Sequence, residues 1–115
     1  MIIKRFENGP RFCRALSHNG TVYLSGMTAD DLSGDTTAQT REILAKIDHY
    51  LALAGTDKTK VLSTVIWLKD IADFDKMNSA WDGWIDEDAM PVRATVEARL
   101  AGDEYLVEIM VIAAQ

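Results

Sequence analysis

The period of the hydrophobic residues changes several times along the chain, and the order of these changes restricts the fold more than any other feature. Two stretches carry apolar residues at three- and four-residue steps, which is the spacing of one face of an amphipathic helix. The remaining apolar segments are short and are separated by turn signals such as Asn8-Gly9-Pro10 and Asn19-Gly20. This alternation predicts an α+β layer fold, a mixed sheet with the order β-β-β-α-β-α-β-β.

Six segments have the composition and length of β-strands. The Asn19-Gly20 dipeptide favours a tight hairpin between the second and the third. The fourth contains few polar residues, which predicts a central strand covered on both faces. The fifth alternates, with Arg93, Thr95 and Glu97 on one face and apolar residues on the other. The predicted strands are residues 2–6, 12–16, 21–25, 61–68, 93–100 and 106–114.

The two helical patterns have recognisable ends. The first begins after Asp35, a suitable N-cap residue, and stops at Gly55. The second covers Phe74–Ile85 and is closed by the acidic residues 86–88. Its candidate N-caps are Asp70 and Asp73.

Two helices can cover one face of such a sheet, and no further helix is predicted for the other face. An open, partly apolar sheet face would be larger than the apolar patches that monomers usually expose. The sequence therefore predicts that the chain self-associates through this face.

Composition excludes several classes of function. A chain of 115 residues predicts a single domain, residues 1–115, and no apolar run is long enough to span a membrane, so we expect a cytoplasmic protein without a membrane partner. The only cysteine, Cys13, cannot form an internal disulfide, and His18 and His49 lack metal-type spacing, so we expect no redox chemistry and no metal site. The net charge of −6 and the pI near 4.7 disfavour nucleic acid as a partner.

Glu108 is the anomaly of the last strand, because alternation places it on one face with apolar residues such as Met110 and Ile112. Burial without a partner raises the pKa of a carboxyl group, which suits acid-base chemistry near neutral pH. The alternative is a structural carboxylate that backbone groups or an arginine satisfy at a subunit contact.

Arg93 begins the fifth strand after Pro91-Val92, and its guanidinium has the fork geometry that binds a carboxylate in a bidentate manner. The alternative is an ion pair with the acidic residues 86–88. The turn at residues 101–104 predicts that the last two strands pair, with Glu108 opposite Glu97. Arg93 would then lie about 13 Å from Glu108 along the strands, so a shared site would have to be built by neighbouring subunits.

Three further positions have a functional and a structural interpretation. Asn78 lies beside the apolar stripe of the second helix, where it could equally be a solvated or locally capping residue. Ser25-Gly26 ends the third strand and offers close backbone approach to a ligand, although a plain turn explains it equally well. Cys13 between two arginines is interpreted as an ordinary strand residue.

Taken in order and spacing, these features resemble the reactive intermediate deaminase family, also called RidA or YjgF-type proteins, along nearly the whole chain. Arg93 and Glu108 have the spacing of the family's Pro-x-Arg to Glu pattern. The matching stretches are Asn8-Gly9-Pro10, Tyr23-Leu24-Ser25-Gly26, Gln39, Leu53-Ala54-Gly55, Asp73-Phe74 through Asn78, Pro91-Val92-Arg93-Ala94 and Val107-Glu108-Ile109.

The resemblance implies a chorismate-mutase-like α+β fold, a homotrimer with inward-facing sheets, and ligand clefts between subunits. It also implies hydrolysis of 2-imino acids, or their enamine tautomers, to 2-oxo acids and ammonia without a cofactor. In that interpretation Arg93 binds the substrate carboxylate and Glu108 holds and helps to activate water. The substrate-binding residues that we expect are Ser25, Gly26, Asn78, Thr95 and Arg11.

The chain departs from the deaminase branch of that family at three places. Arg11-Phe12-Cys13-Arg14-Ala15 replaces a segment that usually begins with a pocket tyrosine, Met27 stands where glutamine is common, and Thr95 stands where cysteine is common. One alternative is therefore a non-catalytic member that binds small carboxylates or regulates a partner. Another is ribonuclease activity or inhibition of translation, after names attached to parts of the family, which the net charge disfavours.

Overall fold

The computed structural model describes residues 2–115 and contains a six-stranded mixed sheet with two α-helices. The order of elements is the predicted β-β-β-α-β-α-β-β, so the predicted fold class is confirmed. Short 3-10 turns at Lys58–Lys60 and Ile71–Asp73 lead into the fourth strand and the second helix. The elements are β1 (Lys4–Asn8), β2 (Cys13–His18), β3 (Thr21–Leu24), α1 (Thr36–Leu53), β4 (Val61–Leu68), α2 (Phe74–Asp82), β5 (Val92–Glu97) and β6 (Val107–Ala114).

The strands are arranged in the order β1-β2-β3-β6-β4-β5, and only β4 and β5 run parallel. The predicted hairpin joins β2 to β3. Its turn residues Asn19 and Gly20 have φ angles of 53° and 76°, the left-handed pair that a type I′ turn requires.

The core lies between one face of the sheet and the helices. Alternate residues of β4 and β6 are buried there, including Ile66, Leu68 and Ile109, and they meet Ile43 and Ile47 of α1. Asp35 caps α1 as predicted, since its side chain accepts a hydrogen bond of 2.9 Å from the backbone N–H of Ala38. No helix among residues 2–115 is long and apolar enough to cross a membrane.

The second helix is shorter than predicted. It ends at Asp82, and Trp84 and Ile85 lie in the following turn rather than in the helix. The Trp84 indole donates to both carboxylate oxygens of Asp48 on α1 at 3.0 Å. The helical spacing of Trp84 in the sequence therefore reflects its contact with α1 and not a continuation of the helix. Asp73 makes no capping bond, while Asp70 caps the preceding 3-10 turn.

The predicted pairing of β5 with β6 is wrong, because β4 lies between them. The α2 crossover places β5 parallel to β4, with Arg93 beside Thr64. β6 lies antiparallel on the other side of β4, with Glu108 beside Trp67. β5 also ends at Glu97, three residues before the predicted end, and β1 begins two residues after its predicted start.

The second face of the sheet is covered by no element of residues 2–115, which corrects the prediction that β4 is covered on both faces. Along β4 and β6, fully buried residues on the helix side alternate with half-buried ones on this open face. In β5 the polar residues face the helices and the apolar residues are exposed. The open face carries Val65, Trp67, Val92, Ala94, Val96, Met110 and Ile112 around the single carboxylate of Glu108.

Candidate functional site

Arg93 lies on the helix side of β5, in a pocket formed by α2. Its Nη1 donates a hydrogen bond of 2.8 Å to Oδ1 of Asn78. The guanidinium lies 5.1 Å from the ring centroid of Trp81 and 5.7 Å from that of Phe74, within the range of cation-π attraction. The helix thus fixes the fork by one hydrogen bond and two aromatic rings, and leaves further N–H donors free for a ligand.

Arg93 has no anionic partner within ion-pair distance among residues 2–115. Partial burial lowers the pKa of its guanidinium, and the more distant carboxylate of Asp82 opposes that shift. The group stays charged at neutral pH. The predicted alternative, an ion pair with residues 86–88, is absent from this part of the chain. A half-buried guanidinium without a counter-charge is suited to binding a carboxylate from outside the chain.

Two threonine hydroxyls lie on the same side of the sheet as Arg93. Thr95 follows it by one pleat on β5, and Thr64 lies beside it on β4. Both hydroxyl oxygens are buried and have no hydrogen-bond partner within residues 2–115. Because buried polar groups are normally paired, these oxygens mark the floor of the Arg93 pocket as a place for a polar ligand atom or a water.

Glu108 lies on the open face of β6 and contacts Gly26. A Cβ atom built at Gly26 would overlap Oε2 of Glu108, so a side chain at this position would displace the carboxylate. Burial raises the pKa of Glu108 above its usual value, and no cation within residues 2–115 pairs with it. The Trp67 ring belongs to the neighbouring position on β4 and contributes to this apolar setting.

Ser25 precedes Gly26 and supports the same segment. Its backbone N–H donates to the carbonyl of Arg14 at 2.9 Å, and its buried hydroxyl has no partner within residues 2–115. The next residue, Met27, is joined to Ile109 of β6 by two backbone hydrogen bonds. Ser25, Gly26 and Glu108 therefore form one group, and Arg93, Asn78 and Thr95 form a second.

These two groups lie on opposite faces of the sheet. Arg93 and Thr95 face the helices, whereas Glu108 faces away from them, with β4 between the two strands. One small molecule cannot contact both groups of the same chain. We call them the arginine half-site (Asn78, Arg93, Thr95) and the glutamate half-site (Ser25, Gly26, Glu108).

The remaining predicted residue, Arg11, is exposed on the loop between β1 and β2 and belongs to neither half-site. It lines a small cavity of about 180 Å³ with Phe12 and Arg14. Sequence reasoning missed the aromatic residues that fix Arg93. The steps from Phe74 to Asn78 and Trp81 share one helix face, and that spacing was a usable signal. Residues 2–115 contain no cluster of three or more potential metal ligands.

Comparison with known proteins identifies the family of this chain. The protein family described as Endoribonuclease L-PSP matches residues 3–115. The chain belongs to this family. Escherichia coli YoaB, a RutC family protein, is 40% identical over 114 residues, which cover 99% of each chain. A RutC family protein of Haemophilus ducreyi is 40% identical over 98% of this chain and 97% of its own.

Solved structures of relatives in the L-PSP family agree in fold. A YjgF family member from Neisseria meningitidis is 45% identical, with a TM-score of 0.95 over 100% of this chain and 96% of its own. A Rid family protein from Yersinia pestis, of unknown function, is 32% identical, with a TM-score of 0.87 over 94% and 90%. The resemblance to RidA and YjgF-type proteins is thereby confirmed.

Proposed function

We propose that this protein hydrolyses reactive 2-imino acids, or their enamine tautomers, to 2-oxo acids and ammonia in a cleft between two subunits of a cytoplasmic homotrimer. The observation that carries the proposal is the pair of complementary, incomplete half-sites on one chain. One offers a guanidinium without a counter-charge, and the other offers a carboxylate with a raised pKa. Family membership supports this assignment.

The arginine half-site fits the carboxylate common to all 2-imino acids. Arg93 binds the two carboxylate oxygens through its free N–H donors, while Asn78 and the two aromatic rings hold the fork in place. Fixing the carboxylate also fixes the adjacent imine carbon, which is the atom that water attacks. The Thr95 hydroxyl is free to donate to a substrate oxygen or to water.

The glutamate half-site supplies the proton transfers. The Glu108 carboxylate accepts a proton from water as the oxygen bonds to the imine carbon, and it passes this proton to the imine nitrogen, which gives a carbinolamine. Glu108 then accepts the hydroxyl proton of the carbinolamine and delivers it to the amine nitrogen. The C–N bond breaks as the carbonyl of the 2-oxo acid forms, and ammonia leaves. The raised pKa brings Glu108 closer to the pH at which one group acts both as base and as acid.

We infer a cleft between subunits because the two half-sites of one chain lie on opposite faces of its sheet. The open face that surrounds Glu108 is apolar and needs a cover, and a second copy that packs on it would bring its own β5 edge, with Arg93, toward the first copy's Glu108. The alternative interpretation of Glu108 is a structural carboxylate at a subunit contact. It requires the same packing of subunits but no catalysis.

The test is ammonia release from freshly generated 2-iminopropanoate and 2-iminobutanoate, measured against the spontaneous rate. We expect acceleration by the wild type, and its loss in Arg93→Ala and in Glu108→Gln. Arg41→Ala, which removes an exposed arginine on α1, serves as the control and keeps the wild-type rate. No acceleration of either substrate would overturn the proposed hydrolysis.

A non-catalytic carboxylate-binding role is separated from catalysis by Glu108→Gln. If the variant and the wild type bind 2-oxobutanoate equally and neither accelerates hydrolysis, the protein is a binding module. Ribonuclease activity, which the family description names, is disfavoured by the net charge of −6, since phosphate contacts need a basic surface.

A further inference from the structure

Three buried side-chain oxygens have no hydrogen-bond partner within residues 2–115, and they belong to Ser25, Thr64 and Thr95. Ser25 lies in the glutamate half-site and Thr95 in the arginine half-site, whereas the proposed reaction gives Thr64 no role. Thr64 is 1% exposed, which leaves no room for direct contact with a substrate. A hydroxyl buried without a hydrogen bond lowers stability, so its partner has to be small enough to be enclosed with it.

The surroundings of Thr64 on β4 give no reason for a hydroxyl. The next residues on the helix side of this strand, Ile66 and Leu68, are apolar and fully buried. Val111, the neighbour of Thr64 on β6, is also apolar and buried. Valine is branched in the same way as threonine and favours strands at least as strongly, so packing alone would be satisfied by valine.

The polar groups nearest to Thr64 lie on β5. Arg93 is directly beside it in the parallel pairing, and Thr95, which pairs with Ile66, is its diagonal neighbour. Diagonal neighbours on one face of a sheet lie about 7 to 8 Å apart, and their side chains approach more closely. One water molecule bridges two oxygens up to about 5.5 Å apart, since each of its hydrogen bonds spans about 2.8 Å. The two hydroxyls are therefore spaced for a shared water.

The Arg93 guanidinium has a donor left for such a water. Both of its hydrogen bonds start from Nη1, to Oδ1 of Asn78 at 2.8 Å and to Sδ of Met77 at 4.0 Å. The Nε–H is the guanidinium donor nearest to β5 along the side chain, and it has no acceptor within residues 2–115. A water beside Thr64 is thus also a neighbour of this donor.

We propose that Thr64 is a positioning residue for Arg93, and that it acts through a buried water that Thr64 and Thr95 hold against the guanidinium Nε–H. The water makes three hydrogen bonds, the usual number for a buried water. With Nε held by the water and Nη1 by Asn78, the end of the fork points at the substrate carboxylate. This inference rests on the proposed function, which supplies the carboxylate that Arg93 binds.

A matched pair of variants separates the hydroxyl of Thr64 from its shape. Thr64→Val keeps the shape and removes the hydroxyl, whereas Thr64→Ser keeps the hydroxyl and removes a methyl group. Binding of 2-oxobutanoate is measured by calorimetry on the full chain in its native assembly. We expect Thr64→Val to bind about tenfold more weakly than the wild type, because the fork that binds the carboxylate is no longer held. Thr64→Ser should bind within about twofold of the wild type.

Initial rates with 2-iminobutanoate give the second readout. The loss of kcat/KM in Thr64→Val should lie mainly in KM, since the carboxylate contact is made in the ground state and in the transition state alike. Equal losses of affinity in Thr64→Val and Thr64→Ser would show that Thr64 only packs, and would overturn the proposal. Wild-type affinity in Thr64→Val would overturn it as well.

Stability gives a third readout, which does not depend on the reaction. If the Thr64 hydroxyl has no partner, Thr64→Val removes a buried unpaired group and should raise the urea midpoint of unfolding. If the hydroxyl holds a water, the midpoint should fall, because Thr95 and Arg93 lose their partner. The control is Thr56→Val, which removes a buried hydroxyl that donates to the carbonyl of Ala114 at 2.6 Å. It should lower the midpoint and keep the affinity for 2-oxobutanoate.

The failure of this inference differs from the failure of the proposed function. If the wild type hydrolyses 2-iminobutanoate and Thr64→Val is as active and more stable, the role of Thr64 alone is wrong. If the wild type neither hydrolyses 2-iminobutanoate nor binds 2-oxobutanoate, the proposed function is wrong. The midpoint of Thr64→Val then still decides on the buried water: a fall supports it, and a rise overturns it.

Discussion

At the scale of single residues, the contact between Gly26 and Glu108 is the most constrained feature of the candidate site. The carboxylate occupies the space where any other residue at position 26 would place its Cβ atom. The carboxylate is the far end of a flexible side chain, so a larger residue would move the carboxylate and not the backbone. Gly26 thus leaves the space that the Glu108 carboxylate needs in order to keep its position.

Gly26→Ala should therefore reduce activity far more than stability. We expect kcat/KM for imine hydrolysis to fall by about a hundredfold, since a displaced catalytic group loses its alignment. Thermal unfolding should change little. Gly83→Ala is the matched control, because its Cβ atom would meet only ordinary contacts at 3.6 and 3.9 Å and its φ is −76°. Wild-type activity in Gly26→Ala would contradict the assigned position of Glu108.

The raised pKa of Glu108 also predicts how stability depends on pH. The native state holds this proton more tightly than the unfolded chain, so ionisation of Glu108 lowers the free energy of unfolding as the pH rises from the unfolded pKa through the native one. Glu108→Gln cannot ionise. It should therefore be more stable than the wild type at neutral pH, and this advantage should shrink toward about pH 4.

Urea unfolding at several pH values measures this difference. Glu104→Gln, which neutralises an exposed glutamate on the loop before β6, controls for the general loss of one negative charge. An advantage of Glu108→Gln that is the same at all pH values, or that grows on acidification, would show that Glu108 is not destabilised by its apolar surroundings.

At the scale of elements, α1 fixes the loop that leads into β6. The Gln39 side chain is buried and makes two backbone contacts: Nε2 donates to the carbonyl of Glu104 at 3.1 Å, and Oε1 accepts from the N–H of Leu106 at 3.0 Å. The Gln39 amide thus bonds the backbone of the loop just before β6, where no neighbouring strand supplies partners. It sets the start of β6, and with it the register of Glu108.

Gln39→Leu should destabilise the protein by about 2 to 4 kcal/mol, because two partly buried backbone groups lose their partners. Chemical denaturation measures the change. The control is Gln115→Leu, which removes an exposed amide that donates to the carbonyl of Ala54 at 3.0 Å and should alter stability by less than about 0.5 kcal/mol. Equal effects of the two variants would contradict the clamping role of Gln39.

The elements also show what sequence patterns specify and what they leave open. Asn19-Gly20 and Asp35 act through their own backbone neighbours, so their turn and cap are readable locally. The place of β5 depends on the α2 crossover and the long connection after Glu97, which carry no local signal about strand order. For this reason, the residues of both half-sites were named from sequence while their placement on opposite faces was not.

At the scale of the whole molecule, the open sheet face is the apolar surface that no element of residues 2–115 covers. Val92 and Val96 are 71% and 46% exposed in the single chain, and half-buried Met110 and Ile112 lie on the same face, on the other side of β4. A face of this kind requires a partner. The half-sites are incomplete in the same chain, so assembly would complete the core and the site together.

Val65→Asp places a charge at the centre of the open face and should prevent assembly. Sedimentation equilibrium should give three times 12.8 kDa for the wild type and 12.8 kDa for the variant. Ala45→Asp, which adds the same charge on the exposed side of α1, should stay assembled. A monomeric wild type would contradict the proposed intersubunit cleft.

Subunit mixing tests the central claim, hydrolysis by Arg93 of one copy with Glu108 of another, most directly. Arg93→Ala and Glu108→Gln chains are unfolded together and refolded as mixed assemblies, and ammonia release from 2-iminobutanoate is measured. Each parent should be inactive, and the mixture should recover about a quarter of the wild-type rate, the share of interfaces that random mixing leaves with both residues intact. A mixture as inactive as its parents, beside a wild type refolded to full activity, would contradict the account.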